Sequence, residues 1–194
     1  MATRLGLMAD VETLGTMQNA VVISFALVPF DLDDSESNFQ PFTGILPAQF
    51  QLDAGRKIDA STLMFWLGQS DAAKLQLLQS LALESDDLPD TLKAMSSWIS
   101  ALMESSIEFQ FWGFGDGFDS GIVRHLMTTN GVKWPVPYRA PRDLRTLIEE
   151  SGLDKTTVPL SGNYMKHDPL SDCHAQIRWY YAARQLLGTN LANR

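Results

Sequence analysis

The chain has 194 residues, 45% hydrophobic and 20% charged, which is too apolar for a disordered polymer and long enough for one domain with a substantial core. Its net charge of −8 argues at first against a nucleic-acid partner, and no apolar run reaches the roughly 20 residues that would span a bilayer. A single cysteine, Cys173, excludes an intramolecular disulfide and disfavours a thiolate metal centre. The opening residues lack the regions of a secretory leader, so the cytoplasm is the expected compartment.

In chain order, residues 4–11 read as a strand whose apolar run ends in Asp10-Val11-Glu12. Residues 20–30, rich in β-branched and aromatic side chains, read as a second strand. The connection between them is short and holds Gly15 and Asn19, so the two are expected to form an antiparallel hairpin. Asp31 to Asn38 is a polar turn. Phe39 to Ile45 is read as a third strand, placed at an edge by Pro41.

Residues 60–82 carry a helical pattern broken near Gly68-Gln69-Ser70-Asp71, with Asp71 as the expected N-cap of the second piece. Ser85 to Asp90 is a loop. Leu92, Met95, Trp98 or Ile99, and Leu102 then mark an amphipathic helix. Ile107 to Phe114 is a strand with Phe109 and Phe111 on one face. Phe118–Met127 and Arg142–Glu150 are read as helices, separated by a stiff connection marked by Pro135, Pro137 and Pro141. A last helix is expected from about Ser171 to Leu187, with Asp172, Ala175, Trp179, Ala182 and Leu186 on its inward face. The whole of 1–194 reads as one α/β domain, a mixed sheet of antiparallel and then parallel strands flanked by helices.

The charge is unevenly spread. Residues 1–123 hold 5 basic and 17 acidic side chains, whereas residues 124–194 hold 10 and 6. Arg139, Arg142, Arg145, Lys155, Lys166, Arg178 and Arg184 belong to this second part. A local basic surface can hold phosphates even on an acidic protein.

The chemistry is carried by acids. Alternation along a strand points Asp10 and Glu12 to the same side. Two carboxylates that close repel and lose hydration together, unless a cation lies between them. Half of a divalent-metal site is the economical reading. Asp119, after a later strand and the bend Gly113-Phe114-Gly115-Asp116-Gly117-Phe118, is a third carboxylate, with a plain helix cap as its alternative. No Lys-Ser/Thr pair follows these glycines, so a phosphate loop is excluded. Asp172 is a fourth, with a routine helix start formed by Ser171 or Asp172 as the alternative. His167, five residues before it in a loop, has the pKa range of a general base.

Asp-x-Glu on a first strand, Asp after a later strand and His-x(4)-Asp at a final helix together resemble the DnaQ-like DEDDh family of 3′–5′ exonucleases, which have an RNase H-like fold. Thr13-Leu14-Gly15 extends the first motif as in many members. Trp112-Gly113 before Phe118-Asp119, and Arg142-Asp143-Leu144-Arg145-Thr146-Leu147, look like a subgroup of phage exonucleases and a mycobacterial exoribonuclease. Pro169 in the third motif departs from the pattern and is expected to restrict His167.

The resemblance implies two Mg²⁺ or Mn²⁺ ions held by Asp10, Glu12, Asp119 and Asp172, about 3.5–4 Å apart in such sites. It implies that Asp10 bridges them, that Glu12 and Asp172 hold the ion carrying the attacking water, and that His167 is the general base. Asp119 is expected to act on the other ion, largely through water. Thr13 and Leu14 are expected to grip the terminal nucleotide, Leu14 as a wedge. Trp66 is a candidate base-stacking platform, with core packing as the alternative for it and for Phe65. The implied partner is the 3′ end of single-stranded DNA or RNA, with DNA expected and RNA the alternative. A catalytically inactive nucleic-acid-binding domain is the further alternative. No membrane is involved, a homodimer is compatible with the family, and a phage-encoded enzyme would act in the host cytoplasm.

Overall fold

The computed structural model describes residues 3–84, 87–115 and 117–192; Ser85 and Asp86 of the expected loop and Asp116 of the glycine-rich bend lie outside the described residues. A five-stranded sheet in the order β3-β2-β1-β4-β5 forms the middle layer. Its members are β1 (Thr3–Thr13), β2 (Val22–Asp31), β3 (Phe42–Ile45), β4 (Ser106–Gly113) and β5 (Pro141–Asp143). Strand β2 pairs antiparallel with both β1 and β3, while β1, β4 and β5 pair in parallel. The expected α/β mixed sheet is present.

Among the described residues, seven α-helices flank it: α1 (Ala48–Asp53), α2 (Ala60–Leu67), α3 (Asp71–Ala82), α4 (Leu88–Ser105), α5 (Phe118–Thr129), α6 (Leu144–Ser151) and α7 (Pro169–Ala192). Strand β1 is buried on both faces, which explains why Leu5 to Ala9 is a continuous apolar run rather than an alternating one. Leu7, Ala9 and Val11 pack towards one face with Leu92, Met95 and Ile99 of α4 and Ile122, Val123 and Leu126 of α5. Met8 packs on the other face with Ala26, Val28 and Phe30 of β2, Leu144 and Ile148 of α6, and Cys173, Tyr180 and Ala183 of α7. A third cluster joins Leu14, Val21 and Ile23 to Ala48, Trp66, Ala73 and Leu77 of the first three helices. Asp10 and Glu12 follow Met8 at period two, so their side chains emerge on the α7 face.

Several expectations need correction. Two short elements were not expected: α1 lies in a segment given no element, and β5 takes Pro141 of the stiff connection together with Arg142 and Asp143, so the helix expected from Arg142 starts at Leu144. Six and three residues are too few to show a period, and β5 is a strand only because its neighbour β4 pairs with it. Pro141 opens it, where a missing N–H is tolerated. The N-cap of α3 is Ser70, whose side chain accepts the Ala73 N–H, and not Asp71. Helix α7 begins at Pro169, two residues before the expected Ser171. Pro169 occupies the first helical position, where its ring is pre-organised. Asp168 caps the turn instead of Ser171 or Asp172, its carboxylate accepting the Ser171 N–H at 2.9 Å.

The inward face of α7 is likewise shifted by about one residue. Cys173, Gln176, Tyr180 and Ala183 are buried, along with Ala175, whereas Leu186 is exposed. The thin spot that lets α7 approach the sheet is therefore Cys173, whose thiol lies 3.6 Å from both the Met8 and Ala26 carbonyl oxygens. This contact sets the height of Asp172 and Gln176 above β1. Overpacking a close contact costs about 1–3 kcal/mol. Cys173→Leu is expected to lose that much in urea unfolding, and Cys173→Ala distinctly less.

Candidate active site

The crevice lies beyond the carboxyl ends of β1 and β4. These are adjacent parallel strands whose chains leave in opposite directions, to β2 on one side and to β5 on the other. A split of this kind opens a cleft at the strand ends. Pairing between the two ends at Met8 and Trp112, so the last residues of β1 run past β4. They stay paired to β2, where Asp10 is opposite Ala26 and Glu12 opposite Ser24.

Asp119 satisfies the backbone of that overhang. Its Oδ1 accepts the Val11 N–H at 3.3 Å and its Oδ2 accepts the Phe114 N–H at 3.1 Å. It is thus not the cap of α5, a position taken by Gly117 in the left-handed conformation. Its carboxylate thus meets the backbone between the two first-strand acids, and the residue is only 4% exposed. Burial raises its pKa to about 6, with the two backbone donors acting in the opposite sense. Gly113 makes room for it, since a Cβ there would fall 2.8 Å from Asp119 Oδ2.

Asp10 is held by Gln176 of α7, whose Nε2 donates to Asp10 Oδ1 at 2.7 Å. Burial, then the charges of Asp119, Glu12 and Asp172, push the Asp10 carboxyl well above its ordinary range. Burial and the charge of Asp172 bring Glu12 up to about 8. Burial also raises Asp172, although the Tyr164 hydroxyl donates to its Oδ1 at 2.6 Å and the His167 N–H to its Oδ2 at 2.9 Å.

His167 Nδ1 stands 3.6 Å from Glu12 Oε1, while its ring meets Phe65 and Trp66 edge to face at 5.1 and 6.1 Å between centroids. Burial and Lys166 lower its pKa, which favours the neutral ring at neutral pH. Its backbone is in the left-handed region, at φ 64°, which few non-glycine residues adopt. One ligand atom each from Glu12, His167 and Asp172 lies within 4.8 Å of the others.

The five signature positions therefore meet in one crevice. None of the ion pairs among the described residues places a lysine or arginine on Asp10, Glu12, Asp119 or Asp172. One buried and three part-buried carboxylates without a lysine or arginine partner make an oxygen-rich donor set that suits a hard divalent cation.

The nucleotide-gripping expectations fare differently. Thr13 borders a pocket of about 340 Å³ together with Glu12, Ser61, Phe65, Trp66 and His167. Leu14 and Trp66 are each 1% exposed, so neither offers a free face as wedge or platform. The Trp66 indole N–H is instead bonded to the Thr13 carbonyl at 2.8 Å, the packing alternative. Phe65 is 46% exposed at the same pocket and presents the available ring. Tyr164 and Gln176 were missed by the sequence reading. Gln176 had a signal, a polar residue four after Asp172, but the misplaced stripe hid it. Tyr164 had none, because a loop has no period.

Comparison with known proteins gives consistent results. The model of the family described as 3′-5′ exoribonuclease Rv2179c-like domain matches residues 6–183. An exodeoxyribonuclease of Enterobacteria phage T4 is 28% identical over 206 residues, covering 92% of this chain and 89% of the relative. Among solved structures, the nuclease domain of 3′hExo, a DEDDh family member bound to rAMP, matches with a TM-score of 0.57 at 13% identity over 96% of this chain and 93% of that one. The zinc-bound E. coli ExoI–ssDNA complex gives 0.57 at 16% identity over 97% of this chain, which spans 41% of that larger protein. Among the described residues no helix is long and apolar enough to cross a membrane.

The raised carboxyl of Glu12 carries a stability cost in the metal-free protein. A carboxyl with a folded pKa near 8 leaves stability intact below its ordinary unfolded value and erodes it as pH rises from there to about 8. Glu12→Gln removes the charge. In EDTA its melting temperature is expected to exceed that of the parent at pH 8, with the gap closing towards pH 5. Mg²⁺ is expected to raise the melting temperature of the parent and to leave the variant nearly unmoved.

Proposed function

The chain belongs to the 3′-5′ exoribonuclease Rv2179c-like domain family and is a 3′–5′ exonuclease of DEDDh type, and on that premise we propose that it releases nucleoside monophosphates from the 3′ ends of single-stranded DNA by hydrolysis that depends on two divalent cations. The observation that carries this reading is the convergence of Asp10, Glu12, Asp119 and Asp172 on one buried crevice beside His167. Residues 1–194 act as one domain, and a phage relative fits action in a host cytoplasm.

Asp10, Glu12, Asp119 and Asp172 would hold the cations, with Mg²⁺ and Mn²⁺ both suited to their oxygens. When bound, the ions supply the Lewis acidity that activates the attacking water and stabilises the leaving oxygen. The protein's own groups do the rest. Gln176 occupies one oxygen of Asp10 and so orients the other. Tyr164 and the His167 N–H fix both oxygens of Asp172. His167, neutral at working pH, accepts the proton of the attacking water as general base. Phe65 stacks on the terminal base above a pocket wall made by Thr13 and Trp66, with Leu14 packed behind as support.

RNA is the second reading, favoured by the description of the family, whereas the phage relative is named for DNA. Matched 5′-labelled single strands of DNA and RNA separate the two, because the 2′-hydroxyl is their only difference at the sugar. Preferential digestion of the deoxy strand is expected, with release of mononucleotides abolished by EDTA. Preference for the ribo strand replaces the first reading with the second.

Asp10→Ala and Asp172→Ala are expected to abolish mononucleotide release while the far-ultraviolet dichroism stays intact. His167→Ala is expected to slow turnover by on the order of 10²–10⁴-fold with cation binding retained. Full turnover in any of the three at saturating Mg²⁺ removes that residue from the mechanism.

A further inference from the structure

Beside the pocket of Glu12 and His167 lies a second concavity of about 590 Å³, bordered by Thr16, Gln18, Phe114, Gly115, Phe118 and Arg145. The two adjoin, with Thr16 and Phe118 bordering both. Arg145, in the first turn of α6, is exposed and enters none of the ion pairs among the described residues. Its guanidinium lies 5.2 Å from the Phe114 ring centroid, and the Lys155 ammonium lies 4.4 Å from the same ring. Gly115, at φ +130°, permits this, because a Cβ there would fall 3.0 Å from Arg145 Nη2.

Two cations, Arg145 of α6 and Lys155 of the turn after it, thus stand over the Phe114 ring that borders the concavity, while the Asp143 carboxylate beside them is engaged by the backbone N–H groups of Gly115 and Arg145.

We propose that this concavity is the subsite for the nucleotide immediately upstream of the one being released. Arg145 pairs with the first phosphate that is not cleaved, and the part-exposed ring of Phe118 carries the upstream base. A planar guanidinium presents two parallel donors to a phosphate, and stacking on an aromatic ring is indifferent to base identity. The assignment rests on the exonuclease reading of the adjoining pocket and extends it to the leaving strand. It makes the preference for a polymer over a mononucleotide ester a property of α6.

Two substrates test it. A single-stranded octanucleotide reaches the subsite; thymidine 5′-(4-nitrophenyl phosphate), with one phosphate and no upstream nucleotide, does not. Arg145→Gln is expected to lower the ratio of kcat/KM for the octanucleotide to kcat/KM for the ester by about tenfold, as loss of one charged hydrogen-bond partner does. The slope of log kcat/KM for the octanucleotide against log salt is expected to become shallower by about 0.7, one phosphate contact. Arg145→Lys, which keeps the charge without the fork, is expected to restore part of the ratio. Melting temperatures of both variants verify that they fold. An unchanged ratio in folded Arg145→Gln, or equal losses on both substrates, overturns the subsite alone. Failure of the parent protein to hydrolyse either substrate with Mg²⁺ or Mn²⁺ overturns the exonuclease reading and the subsite with it.

Discussion

The withdrawal of four carboxylates from water is the constraint on which this protein is organised. Asp10, Glu12, Asp119 and Asp172 are brought out of water within each other's field, and burial is the first cause of the raised pKa of every one of them. No native fold keeps such a group for stability, since an unpaired buried charge costs several kcal/mol. The surrounding residues limit that cost without removing it. Two backbone N–H groups serve Asp119, Gln176 serves Asp10, and a tyrosine hydroxyl with a backbone N–H serves Asp172. Each donor takes a carboxylate oxygen by hydrogen bonding rather than by supplying a full positive charge. The crevice thus keeps its negative potential for an external cation while its acids are held in place.

The sheet topology does the positioning. A strand that ended level with its parallel neighbour would spend the Val11 N–H on β4. Because pairing stops at Met8, that donor is left for Asp119, and the acid on α5 is drawn to the backbone between the two acids of β1. Helix α7 completes the arrangement from the other side, seated by Cys173 against the Met8 and Ala26 carbonyls. Chain segments more than a hundred residues apart thus meet through three local contacts, and each contact has a plain steric or hydrogen-bonding reason.

What could be read from the sequence follows from range. Asp10 and Glu12 were legible because a strand has period two, and His167 and Asp172 because a fixed short spacing survives any loop geometry. The long amphipathic pattern of Leu92, Met95 and Ile99 located α4 for the same reason. The exact face of α7 was not legible. Its inward stripe includes a glutamine and a cysteine, so the apolar pattern pointed to a face about one residue away. Trp66 illustrates the other limit. An aromatic on a short helix near the site is equally consistent with a platform and with a wall, and only the bond of its indole to the Thr13 carbonyl decides for the wall. Strand β5 and helix α1 depend on partners far away in sequence and have no signature of their own.

The physics of the loop before α7 bears on the proposed chemistry. A histidine in a flexible loop would have to be ordered at each turnover. Here His167 is locked in a left-handed conformation that costs on the order of 1–3 kcal/mol for a non-glycine residue. Such strain persists only where neighbours over-determine it. The His167 N–H is tied to Asp172, and Asp168 caps α7 at Ser171. Asp168 also accepts from Gln76 Nε2, and Gln76 in turn accepts from the Ser24 hydroxyl of β2. Pro169, the departure from the family pattern, sits at the first position of the helix, where its fixed φ holds the cap. A chain of bonds thus runs from the sheet through α3 to the residue beside His167, the proposed general base. The imidazole is placed by the fold before any substrate arrives, and the entropy of ordering it is lost once, at folding, rather than in every catalytic cycle.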